Sequence, residues 1–393
     1  MPDKRHAANG WKEYKMSDLA TFDSKSLSND TPEDYTFKYI SLADVNQGMM
    51  NENLTQHIFS TAPLRARRCV KKNDVLMSTV RPNLKGFARI KEEVTDVIAS
   101  TGFAVISPRI ESDSEYIHQY LYSFKIDRQI YALVVGSNYP AINSTDVKKL
   151  RVLAPVLPQE RERIGNILAL WDTAIEKMDK LIEAKRSRHV ALANKLLSRK
   201  SSAVPLKKFL KLTLRDAAKP GKPYWALGIR SHGKGTFRRF VENPKTVAMD
   251  TLYRVRHDDL IVNITFAWEG AIAFVDKADE DCFVSHRFPS FEVDSNKALP
   301  AYLRHVIVQK RFVRNLVLIS PGGAGRNRVL NKTDFLNLKI SLPEIEEQEK
   351  IGDVLNASLR EISLLEAKLE LLEKQKRGLM QKLLTGEWRV KVG

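Results

Sequence analysis

A long amphipathic segment occurs twice in this chain, and this repeat constrains the fold more than any other feature. The two copies span residues 157–198 and 342–385. From Ile164 and Ile351 onward they align without a gap, so that Gly165 matches Gly352 and the Lys-Leu-Leu at 195–197 matches the one at 382–384. Self-similarity at a fixed distance indicates a duplicated architecture.

Both copies carry apolar residues at alternating steps of four and three, the heptad spacing of a helix that packs along another helix. At about 1.5 Å per residue, each helix would be roughly 60 Å long. Pro158 and Pro343 suit the beginnings of these helices, and Gly386 suits an end. We expect the seam to be weakened locally where it is interrupted, at Lys185, His189, Ser358 and Lys376. The apolar seam residues are Ile164, Leu168, Trp171, Ile175, Met178, Ile182, Leu192 and Leu196 in the first copy, and Ile351, Leu355, Ile362, Leu365, Leu369, Leu372, Leu379 and Leu383 in the second.

The short linker at residues 199–204 determines how the two helices run. At about 3.5 Å per residue it cannot return along a helix of about 60 Å, so the segment that follows lies at the far end of the first helix. Helix two then returns antiparallel. We therefore predict a mixed α/β (α+β) fold with pseudo-two-fold symmetry, in which two similar globular domains are separated by an antiparallel coiled coil. The predicted boundaries are 1–155 for the first domain, 156–200 for helix one, 201–341 for the second domain, and 342–393 for helix two and the tail.

The two globular segments also resemble each other, although more weakly than the helices do. Residues 73–76 match 258–261, and each of these runs opens an apolar segment with strand character. The exits toward the helices, at 142–147 and 330–335, match as well. Runs at 94–107 and 260–275 favour strands, whereas 116–130 and 299–315 favour helices. One fold used twice, with divergent surfaces, explains these matches.

Composition favours a soluble, cytoplasmic protein that binds a polyanion. The chain has no run of 18 apolar residues, so no membrane span is expected, and its first residues lack the apolar core of a signal peptide. Cys69 and Cys282 fall in different domains without metal-ligand spacing, which indicates a reducing compartment, core packing and no structural zinc. The net charge of +17 and the pI near 9.7 are typical of nucleic-acid binding.

The cations cluster in turn-like segments of both domains, although a charge run can also be a merely solvated surface. Glycines in 227–239 permit close backbone approach, and Arg, Lys, His and Thr there are donors that could hold phosphates or enter a groove. The candidates for DNA contact on this reasoning are Arg65, Arg67, Arg68, Lys71 and Lys72 in the first domain, and Arg230, His232, Lys234, Thr236, Arg238 and Arg239 in the second.

A second pair of loops, at 136–140 and 321–328, falls at matching places in the two domains. Arginine can read guanine and asparagine can read adenine in the major groove, so base contact is one role for these loops. Simple turn formation with hydrated arginines is the other. The candidates are Asn138, Tyr139, Arg326, Asn327 and Arg328, followed by Arg81, Asn83, Lys85 and Trp268 near the ends of the paired strand-like runs.

No catalytic residue and no metal ligand is predicted. Residues 228–236 come within one residue of a phosphate-binding P-loop, but Gly235 stands where a serine or threonine must ligate magnesium. The chain contains no HExxH, no GxSxG, and neither the Asn-Pro-Pro-aromatic nor the methyl-donor loop of amino-methylating enzymes. The Glu-x-Lys pairs at 183–185 and 366–368 lie on the long helices and are expected to be ordinary surface charges.

The order of variable domain, long helix, variable domain and long helix resembles the specificity subunit of type I restriction-modification systems. The Leu-Pro-x-Glu-x-x-x-Ile-Gly opening at 157–165 and the Lys-Leu-Leu-Ser/Thr ending of the helices carry the resemblance over nearly the whole chain. Residues 11–19 and 225–237 are similar to segments of that family's target-recognition domains. Motifs inside these domains are loose, because the family diverges there to read different DNA.

The resemblance implies a DNA-binding subunit without catalytic activity, within a type I restriction endonuclease and DNA adenine methyltransferase complex. Each domain would bind one half of a split, asymmetric site in double-stranded DNA, and the helices would set the gap and dock two methylation subunits. Motor-nuclease subunits would join that assembly. S-adenosylmethionine, ATP and magnesium would serve these partners, and this chain would hold no cofactor. Two alternatives remain: a coiled-coil adaptor that binds proteins, which leaves the charge unexplained, and an autonomous DNA enzyme, which leaves the missing motifs unexplained.

Overall fold

The computed structural model of the chain describes residues 10–134, 140–199, 201–322 and 328–392. The chain divides into two compact units. Unit 1 comprises residues 1–180 and 367–393, and unit 2 comprises residues 181–366. Each unit therefore contains one globular segment and parts of both long helices.

Unit 1 is a mixed α/β structure that continues into the first long helix. Its elements are β1 (Trp11–Lys15), α1 (Met16–Leu19), β2 (Ala20–Phe22), β3 (Thr36–Ile40), β4 (Val45–Asn46), β5 (Met49–Met50), β6 (Thr55–Ile58), β7 (Ala66–Cys69), β8 (Val75–Ser78), β9 (Phe87–Arg89), β10 (Val97–Ser100), β11 (Phe103–Pro108), α2 (Asp113–Leu121), α3 (Phe124–Leu133), α4 (Ser144–Lys149), β12 (Arg151–Pro155) and α5 (Pro158–Leu197).

Two four-stranded sheets form the body of unit 1, in the orders β6-β3-β10-β7 and β2-β11-β8-β9. Strands β8 and β10 are buried along their whole length. This burial explains why their sequences do not alternate between apolar and polar residues. Strand β1 pairs antiparallel with β12, so the first described strand closes against the strand that leads into α5.

Unit 2 repeats this plan with a larger outer sheet. Its elements are β13 (Ala203–Pro205), β14 (Leu210–Leu212), β15 (Asp216–Ala218), β16 (Tyr224–Ile229), β17 (Thr236–Val241), β18 (Thr251–Arg254), β19 (Leu260–Val262), β20 (Ile272–Phe274), β21 (Phe283–Val284), β22 (Ser290–Val293), α6 (Pro300–Val306), α7 (Lys310–Leu318), α8 (Lys332–Asn337), β23 (Lys339–Ser341) and α9 (Ile345–Leu383). The sheet orders are β15-β18-β21-β16-β17 and β14-β22-β19-β20.

The turn before the central strand shows the duplication in atomic detail. Asn73 and Asp258 both adopt positive φ, at 70° and 64°. The buried carboxylate of Asp74 accepts a hydrogen bond from the Lys71 amide at 2.9 Å. Asp259 accepts one from the Arg256 amide at 2.8 Å. The predicted match of 73–76 with 258–261 is therefore a match of backbone structure, because both aspartates hold the same left-handed turn.

The predicted long helices are present as single elements of 40 and 39 residues, α5 and α9. Helix α5 begins at Pro158, as expected, but α9 begins at Ile345 and not at Pro343. The Gln348 side chain donates to the Pro343 carbonyl at 2.8 Å, which holds Pro343 outside the helix. Gly386 follows the end of α9 with a φ of 76°, and its amide donates to the Leu383 carbonyl at 3.3 Å. This left-handed glycine ends the helix as predicted.

Within each unit the two helices pack antiparallel, which confirms the predicted mixed α/β class with long antiparallel helices. In unit 1 the core joins Ile164 and Leu168 of α5 to Met380 and Leu383 of α9. In unit 2 it joins Ala193 and Leu197 of α5 to Ile351 and Leu355 of α9. Every predicted apolar seam residue is buried or half-buried. No helix among the described residues combines the length and apolar content needed to cross a bilayer.

The four polar residues that interrupt the apolar seam each contact a specific partner. Lys376 pairs with Asp172 in unit 1, and Lys185 pairs with Glu361 at 2.5 Å in unit 2. Nδ1 of His189 and the Ser358 hydroxyl oxygen lie 3.2 Å apart, at hydrogen-bonding distance. Because each polar group meets a specific partner, these contacts favour one register of the helices over its alternatives.

Gly165 of α5 and Gly352 of α9 occupy matching positions, and each allows a short helix of its unit to pack closely on the long helix. A Cβ atom on Gly165 would lie 2.7 Å from the Tyr116 amide nitrogen, and one on Gly352 would lie 3.2 Å from the Ala301 carbonyl carbon. The Tyr116 hydroxyl donates to the Leu153 carbonyl at 2.6 Å, and the Tyr302 hydroxyl donates to the Ser341 carbonyl at 3.1 Å. The repeat of Gly165 and Gly352 in the sequence therefore reflects close helix contact.

Candidate nucleic-acid interface

A short 3₁₀ turn follows the central strand in both units and organises the candidate residues. In unit 1 it spans Pro82–Leu84 and is flanked by Arg81 and Lys85, which both adopt left-handed backbone conformations. In unit 2 it spans Ala267–Glu269 and ends at Gly270, also left-handed. The turn exposes Asn83 in unit 1 and half-exposes Trp268 in unit 2. Asn83, Lys85 and Trp268 were predicted from sequence, but their common turn was not.

Backbone hydrogen bonds gather several loops of unit 1 around this turn. The Arg81 amide donates to the Pro140 carbonyl at 2.8 Å, and the Thr79 amide donates to the Gly102 carbonyl at 2.8 Å. The neighbouring Thr101 amide donates to the Arg65 carbonyl, also at 2.8 Å. We call residues 65, 79–85, 100–102 and 140 the loop end of unit 1. It brings together the exposed side chains of Arg65, Arg81 and Asn83.

Three other candidates of unit 1 form side-chain contacts within the unit. Lys85 forms an ion pair with Asp127 of α3 at 2.8 Å. The Arg67 guanidinium lies 4.8 Å from the centre of the Phe59 ring. The Arg68 guanidinium forms an ion pair with the Asp23 carboxylate at 3.1 Å. Their side chains are therefore engaged within the unit, so their role in binding a ligand would require exchange of these contacts.

Lys71 and Lys72 follow strand β7, at the end of that strand opposite to Arg65 and the loop end. Strand β7 separates them from Arg65, although all three fall within one basic segment of sequence. Lys72 pairs with Glu93 at 3.3 Å. Lys71 lines a cleft of about 310 Å³ together with Lys25. The equivalent cleft of unit 2, about 590 Å³, is lined by Arg215, Arg254 and Arg256. None of these three arginines was among the candidates predicted from the sequence.

The tip of the β16–β17 hairpin docks on the 3₁₀ turn of unit 2. The His232 amide donates to the Glu269 carbonyl at 2.8 Å, and the Gly233 amide donates to the Gly270 carbonyl at 3.1 Å. His232 and Gly233 both have positive φ, and so do Gln47 and Gly48 at the matching hairpin tip of unit 1. The Arg328 guanidinium lies 5.4 Å from the centre of the Trp268 ring. We call residues 230–236, 266–270 and 328 the loop end of unit 2.

Aromatic side chains alternate with cations along the same hairpin. The Phe237 ring lies across Gly228, where a Cβ atom would approach the ring to 2.4 Å, and the Arg230 guanidinium lies 5.3 Å from the ring centre. The ring centres of Trp225 and Phe240 lie 5.0 Å apart. These rings are 40 to 52% exposed. Exposed aromatic rings beside arginines suit stacking against nucleotide bases. These aromatic residues were not among the candidates predicted from the sequence, although the run Thr-Phe-Arg-Arg-Phe-Val at 236–241 breaks the alternation of a half-buried strand.

The six basic or polar candidates of the hairpin differ in how firmly they are held. Asp279 accepts hydrogen bonds from Thr236 and from Arg238, the latter at 2.6 Å. The hydrogen bond from Arg238 to Asp279 raises the pKa of Arg238. Lys234 and Arg239 are exposed, and neither forms an ion pair within the part of the chain that the structure describes. Four other candidates, Asn138, Tyr139, Arg326 and Asn327, lie outside the described residues.

Comparison with known proteins agrees with the duplicated architecture. The family model for the type I restriction modification DNA specificity domain matches residues 8–186 and again 207–374. A curated protein of Methanocaldococcus jannaschii, named as the MjaX specificity subunit of a type I restriction enzyme, is 24% identical over 281 residues, which cover 65% of this chain and 63% of that protein. The MjaVIII specificity subunit of the same organism is 22% identical over 302 residues, 69% of this chain and 70% of that protein.

Solved structures share the fold at low sequence identity. The HsdS subunit from Thermoanaerobacter tengcongensis is 18% identical, with a TM-score of 0.52 over 99% of this chain and 100% of that one. The type I restriction-modification S subunit from M. genitalium is 14% identical, with a TM-score of 0.59 over 100% and 99% of the two chains. Because the family model matches most of the chain in two copies, the protein belongs to the family of type I restriction-modification specificity subunits.

Proposed function

We propose that each unit reads one half of a split, asymmetric site in double-stranded DNA. The observation that carries the proposal is that both units carry a loop end built on the same 3₁₀ turn, with different side chains on it. Unit 1 presents Arg65, Arg81 and Asn83, whereas unit 2 presents Trp268 and Arg328. A shared backbone with divergent donors is what two readers of different half-sites require.

Phosphate and base contacts would fall to different residues in this proposal. Lys234 and Arg239 are exposed side chains suited to phosphates, because a positive charge in solvent can replace the counterions of DNA. The Asn83 amide can donate to and accept from an adenine edge, and the Arg328 guanidinium can donate to a guanine edge. The exposed aromatic rings of the β16–β17 hairpin would contact sugars or unstacked bases.

The long helices would set the gap between half-sites and dock two methylation subunits. Large apolar side chains remain exposed on them: Leu170, Leu181 and Val190 on α5, and Leu359, Leu364 and Leu371 on α9. Apolar groups on otherwise charged helices are typical of a surface that another protein covers. Motor-nuclease subunits would join the outside of that complex. The partners would bind S-adenosylmethionine, ATP and magnesium, and this chain would supply the sequence specificity alone.

Expression of the chain with methylation subunits, followed by sequencing of methylated DNA, tests the proposal. The expected result is one recognition sequence made of two short halves with a constant gap. Binding of the purified chain to duplex DNA at moderate salt should accompany it. Methylation at a continuous site, or no retention on duplex DNA, would contradict the proposal and favour a protein-binding adaptor.

A further inference from the structure

The C-terminal tail of the chain covers the junction of the two long helices in unit 1. After α9 ends, the Trp388 amide donates back to the Lys382 carbonyl at 3.1 Å. The Arg389 guanidinium then forms two hydrogen bonds with the carboxylate of Glu160, at 2.7 and 2.9 Å. Val390 packs against the apolar core of the unit. Beneath this segment Glu160 is only 1% exposed.

Unit 2 contains the equivalent helix junction, but there it forms an open groove. Glu347 stands four residues before Ile351, as Glu160 stands four residues before Ile164. The Glu347 side chain is 44% exposed, and its carboxylate contacts Arg199 at 3.0 Å. The groove measures about 510 Å³, and the residues that line it include Leu192, Leu196, Ile351, Val354, Glu344 and Glu347.

The path of the chain explains why the groove stays open. In unit 1 the segment after the Lys-Leu-Leu of α9 returns over the helix junction. In unit 2 the segment after the Lys-Leu-Leu of α5 enters β13, which pairs with β23. As a consequence Leu383 is 4% exposed in unit 1, whereas Leu196, its equivalent, is only half-buried. The duplicated surface is therefore covered once by the chain's own tail and once left accessible.

We infer that the groove of unit 2 binds an extended segment of a partner protein in which an arginine or lysine lies beside a bulky apolar residue. The tail shows the chemistry that this surface accepts, because Arg389 neutralises the equivalent glutamate while Val390 meets the apolar core. Glu344, Glu346 and Glu347 make the rim of the groove acidic, against Arg199 and Lys350. A basic segment complements this rim. The inference rests on the proposed docking of partner subunits and specifies the segment that one of them contributes.

The chain's own tail supplies the probe for a test. A fluorescently labelled peptide with the sequence of residues 386–393 should bind the full-length protein saturably in anisotropy titrations. Glu347→Arg should weaken that binding at least tenfold, and a peptide carrying Arg389→Glu should restore most of it with the Glu347→Arg protein. Glu349→Arg makes the same charge change on an exposed helix position that does not line the groove, and it should leave binding unchanged.

Two results of these titrations would overturn the inference. One is the absence of saturable binding, and the other is equal binding to the Glu347→Arg protein, which would place the peptide elsewhere, for example over Glu160. The methylation subunits should displace the bound peptide. Retention of the peptide in an assembled, active complex would also overturn the inference about the groove. Loss of bipartite methylation with normal peptide binding would count against the proposed function alone.

Discussion

The ammonium group of Lys376 on α9 pairs with the carboxylate of Asp172 on α5, inside unit 1. Gln119 of α2 donates to the same carboxylate at 2.6 Å. One aspartate thus connects three helices. The Lys376 side chain is only 13% exposed, so it is bound in this geometry and does not reach solvent freely. The contact makes a polar position in the seam a determinant of helix register.

A double-mutant cycle on this pair should measure that role. We expect Asp172→Ala and Lys376→Ala to couple by about 1 kcal/mol, since the pair lies between the values for exposed and buried ion pairs. The partial exposure of Asp172 argues against a larger figure. Urea unfolding of the four proteins provides the measurement. The exposed pair of Glu176 and Lys180 is the control and should couple less, and additive effects at 172 and 376 would refute the role.

Alanine substitutions at two glycines of the long helices should lower the stability of the protein, and a third should raise it. Gly165→Ala should destabilise the protein by about 1 to 3 kcal/mol, because the new methyl group would meet the Tyr116 backbone. Gly352→Ala has slightly more room and should cost less. Among the described residues, no atom beyond the adjacent backbone of the helix itself lies within 4 Å of a Cβ on Gly378, so Gly378→Ala should stabilise α9 by about 0.5 to 1 kcal/mol. Thermal unfolding checks the order, and equal shifts at all three positions would contradict the packing argument.

Removing one cation from the loop end of unit 2 should weaken DNA binding. Lys234→Ala should lower affinity for the recognised duplex and reduce the slope of log affinity against log salt by about 1. Lys211→Ala removes the same charge from an exposed position on β14, outside the loop end and the cleft, and should leave that slope unchanged. Titrations at four salt concentrations distinguish the two. Equal slopes for Lys234→Ala and the unmodified protein would remove the loop end from the interface.

Stability should fall as pH drops below 6.5 because of two histidines in unit 2. Burial lowers the pKa of His305 and of His189 below the ordinary value of 6.5, and their rings lie 6.1 Å apart. An unfolded chain would bind these protons first, so the stabilisation is complete above pH 6.5 and is lost as pH falls toward the folded-state values.

Gln119 occupies the place of His305 in unit 1, which suggests the informative variant. His305→Gln can keep a hydrogen bond to Asn356 and should flatten the decline of unfolding free energy below pH 6.5 by at most about 1.4 kcal/mol per pH unit. The exposed His286→Gln serves as the matched control. An unchanged pH profile in His305→Gln would show that His305 does not contribute.

The helices were predictable because their signal is local and periodic. The seam positions follow from a heptad count, and the repeat of Gly165 at Gly352 follows from alignment alone. The pairing of Lys376 with Asp172 was not predictable in this way. It joins two residues 204 positions apart and depends on the register of the two helices, which the periodicity leaves open by whole heptads.

The candidate interface was predictable only in part, for a physical reason. Arg65 and Lys71 belong to one basic run, but strand β7 lies between them, so these neighbours in sequence are at opposite ends of that strand. The contact of His232 with the turn at 267–269 is a hydrogen bond between backbone groups, so it cannot be inferred from the identity of the side chains. The exposed ring of Phe237 was missed because aromatic residues in strands usually indicate core.

Exchange of one reading unit tests the central claim most directly. Residues 1–155 would be replaced by the corresponding segment of a relative with a different recognition site, and the methylated sites would be sequenced in cells that also express the methylation subunits. We predict that one half of the recognised sequence changes while the other half and the gap remain. A change in both halves, or in neither, would contradict the account of two independent readers on one chain.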